Sequence, residues 1–174
     1  MQILNTSLIY RGRAFKVENV HVRLSDGRQR DYDLVNHLGA VTILPLDDEG
    51  QVWFVRQYRI GARQTLLELP AGVLEEDEDP AAGAAREIRE EIGMAAGNLL
   101  KIGEFYMAPG YSSELMHVFL ATDLTPDSLP QDDDEFLEII RYPLPEVLQM
   151  VQRGEIMDGK TISSLLLAQP HLPN

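Results

Sequence analysis

From Ala14 to Leu24 the chain reads AFKVENVHVRL, apolar and polar residues alternating at the two-residue period of a strand. The turn-forming SDGR follows, and QRDYDLVNH supplies a partner strand, so residues 1–38 read as a small N-terminal antiparallel β lobe. After Gly39 the pattern changes to apolar strands: AVTILPL and QVWFVRQYR on either side of the turn DDEG, then TLLELP. Further strands are expected at LLKIGEFYM, ELMHVFLATDL and EFLEIIRYPL, with the loops APGYSS and TPDSLPQDDD between them. Trp53, inside an apolar run, is expected in the core.

Helical period appears between these strands and at the C-terminal end. Asp79 can cap a helix by accepting a backbone N–H two or three residues on, Pro80 suits the first helical position, and Gly93 suits the end. At about 100° per residue, Ala81, Ala84, Ala85, Ile88 and Ile92 then form one apolar stripe. Two shorter helices are expected, one from Pro145 to about Arg153 before Gly154, the other from the cap Asp158 to Gln169 before Pro170. Strands on both sides of a central helix, with more helix at the end, imply an α/β sandwich over residues 39–174.

Composition narrows the function. The 174 residues fit one domain with a small extra lobe. No cysteine is present, which excludes disulfides, thiolate nucleophiles and zinc–thiolate sites. With 28 acidic against 15 basic side chains the net charge is −13, which argues against general binding to nucleic acid or anionic membrane. An anionic small molecule needs only local positive charge. The N-terminal MQILNTSLIYRGR lacks the long apolar run of a signal peptide or membrane span, so a cytoplasmic location is expected.

The acids concentrate in GVLEEDEDPAAGAAREIREEIGM, Gly72 to Met94. On the predicted helix Glu87 and Glu91 are four apart and Glu87 and Glu90 three apart, so their carboxylates share a flank and repel by a few tenths of a kcal/mol each. Arg86 can reach Glu90 and offset part of this. Such a cluster suits a hard divalent ion, which takes carboxylates, waters and substrate phosphates as ligands. A charge run is more often a solvated face. Spacing decides against that here: Gly72, five residues, Glu78, seven residues, Arg86-Glu87-Ile88, any residue, Glu90-Glu91, any residue, Gly93-Met94 resembles the Nudix box at every defined position.

The flanking segments VRQYR, LELPAG, APGYSSE, DEFLEI and GEIMDGKT resemble the ADP-ribose pyrophosphatase branch of that superfamily, so the similarity runs from about Arg11 to Leu167. It implies a Nudix α/β/α sandwich with a mixed sheet. It also implies hydrolysis of a diphosphate aided by Mg²⁺, for which Mn²⁺ can substitute, turning ADP-ribose or a related ADP-sugar into AMP and a sugar phosphate. In that scheme Glu87 and Glu91 bind metal, Glu90 joins or supports them catalytically, the Ala71 carbonyl adds a ligand, and Arg86 orients the glutamates. Glu78, just upstream of the helix, is read as structural.

The resemblance takes the general base from the acidic run QDDDEFLEI, with Glu135 the best match and Asp134 and Glu138 its neighbours. Arg56 and Arg59 are the cations nearest to hand for an anionic substrate. Their odd spacing on a regular strand sends one away from the site, and Arg59 is the choice. Glu68 either lines the site or forms a structural ion pair, since a buried carboxylate needs a partner. Phe15 and Tyr32 correspond to adenine-stacking positions, although lone aromatics are more often core. Pro109 and Gly110 mark a substrate loop with Ser112, Ser113 and Glu114 as contacts. The four histidines show no metal-ligand spacing.

A homodimer is expected, the N-terminal lobe contacting the partner's site, because residues 1–38 are too few to bury their own apolar face. Alternatives keep the chemistry and change the leaving group, to GDP-mannose, FAD, NADH or a dinucleoside polyphosphate, or keep the fold and bind ADP-ribose without cleaving it.

Overall fold

The computed structural model describes residues 1–131 and 136–172. The lobe holds three antiparallel strands, β1 (Gln2–Arg11), β2 (Phe15–Arg23) and β3 (Gln29–His37), in the order β1-β2-β3. The β2–β3 hairpin is the one expected from alternation. Strand β1 is an addition to that reading, because two register shifts, between Ile3 and Asn5 and between Leu8 and Tyr10, break its two-residue period.

The remaining described residues build two sheets. A mixed sheet runs β7-β4-β9-β8, from β4 (Ala40–Pro45), β7 (Ala71–Val73), β8 (Met94–Tyr106) and β9 (Leu115–Pro126), with β4 and β9 parallel and the other pairs antiparallel. Strands β5 (Gln51–Arg59), β6 (Gln64–Glu68) and β10 (Glu138–Pro143) form an antiparallel sheet with β5 in the middle. The strand period sorts the core. On β4 and β9, Val41, Ile43, Phe119 and Ala121 pack with Ala84, Ile88 and Ile92 of the Glu-rich segment, while Leu44 and Leu120 pack on the other side with Val147, Met150, Leu165 and Ala168.

Helix α1 (Pro80–Glu91) therefore covers one face, and α2 (Leu144–Gln152) and α3 (Gly159–Ala168) the other, which is the expected α/β/α sandwich around a mixed sheet. Asp79 caps α1 by accepting from the N–H groups of Ala81 and Ala82, and Gly93 ends it at φ +69°. Asp158 caps α3 through Thr161 N. Trp53 corrects an expectation. It is only partly buried against the α1-side core, because its indole N–H reaches Asp47 Oδ2 at 2.8 Å and the Arg141 guanidinium lies 4.9 Å from the ring centre. No helix among the described residues is long and apolar enough to cross a membrane.

Candidate active site

Strand β7 and helix α1 bring the acids together. Arg86 is the hub: Nε and Nη2 donate to Glu78 at 3.0 and 3.1 Å, and Nη1 donates to Glu87 at 2.6 Å and Glu90 at 2.8 Å. The Glu78 pairing, ahead of the other contacts, raises the Arg86 pKa, and the same hydrogen bond lowers that of Glu78. Glu78 also accepts from Glu75 N and so ties the loop to the helix. Glu87 and Glu91 are 8% and 2% exposed, and Glu91 accepts from the N–H of Ala71 at 3.0 Å.

Gly72 makes this closeness possible. A Cβ on that residue would coincide with the Glu87 carboxylate, so only glycine lets β7 run directly over the acid. Arg86, Glu87 and Glu90 line a cavity of about 350 Å³ together with Glu75 and with Arg13 of the β1–β2 turn. Gly72 and Val73 also line a larger open cleft of about 620 Å³, with Arg59, Glu68, Ala71, Glu114, Met116, Asp158 and Lys160. Strand β7 is thus a wall shared by the acidic cavity and a cleft of mixed charge, in which Arg59 and Lys160 stand beside Glu68, Glu114 and Asp158.

The oxygen donors of Glu87, Glu90, Glu91 and the Ala71 backbone are the chemistry a hard divalent ion takes, and the Gly72 cradle sets one of those carboxylates against β7. Among the described residues no three acidic or histidine side chains are already gathered to hold an ion. Arg86 occupies oxygens of Glu87 and Glu90, so a metal ion competes with its guanidinium for both.

Other candidates fall in different places. Arg59 lines the cleft and clasps Glu68 in two bonds of 2.8 Å, whereas Arg56 lies outside the cleft lining and pairs with Glu138 at 3.0 Å. Burial alone would raise the Glu68 pKa, but Arg59 and Lys160 outweigh it and hold it below the ordinary value, and Glu68 raises that of Arg59. Asp132, Asp133, Asp134 and Glu135 lie outside the described residues.

Phe15 lines a cavity of about 200 Å³ that shares Arg13 and Ala14 with the acidic one. Tyr32 opposes Val20 on β2, five positions from Phe15, which places the two rings on opposite faces and roughly 17 Å apart, so they cannot stack on one adenine within one chain. Glu114 lines the cleft, and Pro109 and Gly110 are exposed on the loop before it.

The serines of that loop hold backbone. Ser112 Oγ accepts from Glu114 N, and Ser113 Oγ accepts from His37 N at 2.9 Å and donates to His37 O at 3.2 Å, fastening the loop to β3. Lys160 is a charged cleft residue to which the sequence pattern assigns no role. Its burial was signalled: it stands four and five residues before the buried Ser164 and Leu165, on the inward stripe of α3.

The NUDIX domain model matches residues 36–163. The chain is a Nudix family member. It is 37% identical over 163 residues to ADP-ribose pyrophosphatase of Bacillus subtilis (strain 168), covering 92% of this chain and 88% of that protein. GDP-mannose pyrophosphatase of Yersinia pestis (strain Pestoides F) is 37% identical over 150 residues, 80% of this chain and 74% of that one. A crystal structure of an ADP compounds hydrolase superposes with a TM-score of 0.86 at 31% identity, covering 98% of this Nudix chain and 93% of the other.

Proposed function

We propose that this Nudix protein hydrolyses the diphosphate of ADP-ribose or a related ADP-sugar, giving AMP and a sugar phosphate, with Mg²⁺ as its cofactor. The observation that carries the reading is the shared β7 wall, with Glu87 set against Gly72 on one side and Arg59 at the cleft on the other. A diphosphate lying across that wall meets carboxylates suited to a metal ion at one end and a guanidinium at the other. Glu87, Glu90, Glu91 and the Ala71 carbonyl would hold the ion, which when bound supplies charge neutralisation at phosphorus and an acidified water.

The chain's own groups do the rest. Arg86 holds Glu87 and Glu90 in place until the ion arrives, Gly72 admits the close approach, and Arg59 binds the anion and orients it. The base that takes the water's proton is assigned to Glu135, with Asp134 as its neighbour. Arg56 and Glu138, paired to each other, are left out of the substrate and base roles. The identity to GDP-mannose pyrophosphatase favours a second reading, in which the same machinery acts on another nucleoside diphosphate derivative.

The active unit is a homodimer. All ten residues of β1 are exposed, among them Ile3, Leu4, Leu8, Ile9 and Tyr10, an apolar edge suited to a second copy. The test of substrate is an assay of purified protein with Mg²⁺ against ADP-ribose, GDP-mannose, FAD, NADH and a dinucleoside polyphosphate. ADP-ribose is expected to give the highest kcat/KM, and preference for a non-adenine compound would move the reading to the second one.

A further inference from the structure

Lys160 is only 7% exposed, and a buried ammonium costs several kcal/mol unless its charge is met. Here it is met twice. Nζ donates to Glu68 Oε2 and, at 3.0 Å, to Asp158 Oδ2. Glu68, 1% exposed, receives Arg59 Nε on Oε1 and Nη2 on Oε2. The far end is also closed: Asp158 accepts from Thr161 N and from Thr161 Oγ1 at 2.6 Å, and that hydroxyl accepts from Leu69 N, the neighbour of Glu68. A continuous bonded ring therefore joins β5, β6 and the start of α3.

Arg59 and Glu68 alone already balance charge. A second cation on Glu68 adds something else: with Oε2 shared by Lys160, the carboxylate cannot turn about its own axis or follow the guanidinium outward. Arg59 is then held by its Nε/Nη2 edge, and Nη1 makes no hydrogen bond among the described residues. Its side chain, 40% exposed, lines the cleft. The outer Nη1/Nη2 edge has the fork geometry that takes two oxygens of a phosphate at once. The two cations and two anions of the ring sum to zero charge, so binding at this edge depends on direction, and a fixed mount matters more than bulk potential.

We infer that Lys160 is a positioning residue, which locks the Glu68 carboxylate so that Arg59 presents its outer edge to the diphosphate in the cleft. The inference rests on the reading of that cleft as a diphosphate site.

A double-mutant cycle with the full chain tests it, using whichever diphosphate of the panel the wild type turns over best with Mg²⁺. Lys160→Met is expected to raise KM about tenfold while kcat stays within about twofold, since the Arg59 contact is made in the ground state. In the Arg59→Ala background, Lys160→Met is expected to add nothing, because the group it positions is gone. Equal losses in both backgrounds, or a loss confined to kcat, would overturn the inference while leaving the hydrolase reading in place. A wild type inert on every compound would overturn both. If Lys160→Met melts below the assay temperature, Lys160→Gln takes its place with the same non-additivity expected, and failure of both to fold makes Lys160 a folding residue and ends the proposal.

Discussion

At the scale of residues, the structure turns a charge pattern into a division of labour. Three glutamates on one flank of α1 are mutually repulsive, and Arg86 answers two of them together with Glu78. Glu91 is placed differently, buried and bonded to Ala71 N, so its charge is held near the other acids at a greater cost. Glu91→Gln keeps the volume and an acceptor for Ala71. Expected are a loss of Mg²⁺-dependent turnover by 10²-fold or more, on the order of a lost charge contact in the transition state, and an unchanged or raised Tm without metal. Near-wild-type turnover would remove Glu91 from the metal set.

Glu68 shows the opposite balance, a buried acid with two cations. Its folded pKa is depressed, so its contribution to stability is complete above its ordinary value near 4.5 and is lost as pH falls through the lower folded value. Glu68→Gln leaves the buried Lys160 with Asp158 as its remaining carboxylate and takes the charged partner from Arg59, costing about 3 kcal/mol at pH 7. The Tm gap between variant and wild type is expected to be widest above pH 5 and to narrow toward pH 3; a gap independent of pH would contradict the pairing. The sequence reading saw Glu68 and Arg59 separately, since a carboxylate in a buried strand announces its need for a partner but not which partner. Lys160 lies ninety-two positions along the chain from Glu68, a distance no local pattern spans.

At the scale of elements, the cap and the terminator of α1 were legible because both signals are local: Asp79 and Gly93 act on backbone within a turn of themselves. Asp79→Ala removes the acceptor for two helix N–H groups and is expected to cost about 1 kcal/mol, roughly 3 °C in Tm, with activity kept once the protein is folded. A drop below 1 °C in thermal melts would show that the Glu78–Arg86 pair holds this end by itself. Strand β1 was illegible for an equally local reason, its two bulges shifting apolar residues out of alternation. Odd spacing in VRQYR predicts that Arg56 and Arg59 leave opposite faces of the strand, and in the structure Arg56 pairs with Glu138 while Arg59 pairs with Glu68 beside the cleft. Ser112 and Ser113 have a local use that the sequence does not announce, because a hydroxyl that suits a phosphate suits a backbone N–H equally well.

At the scale of the molecule, the sheets and α-helices of the described residues serve to hold β7 between two cavities, with the N-terminal lobe anchored alongside by the 108–114 loop. The exposed β1 edge gives the lobe an unfinished apolar face, and Phe15 and Tyr32 stand on opposite faces of the lobe sheet. Leu8→Glu is expected to convert a dimer to a monomer in sedimentation and to raise KM, whereas a wild type that sediments as a fully active monomer would remove the second copy from the account. The central claim is that the acids over Gly72 and the Arg59 cleft together cleave a diphosphate at the adenosine-bearing phosphorus. It is tested most directly by incubating ADP-ribose, Mg²⁺ and enzyme in ¹⁸O-labelled water and weighing the products by mass spectrometry. AMP and ribose 5-phosphate in equal amounts, with the label in AMP and no products when the metal is chelated, is the predicted result; uncleaved ADP-ribose, or label in ribose 5-phosphate, would contradict it.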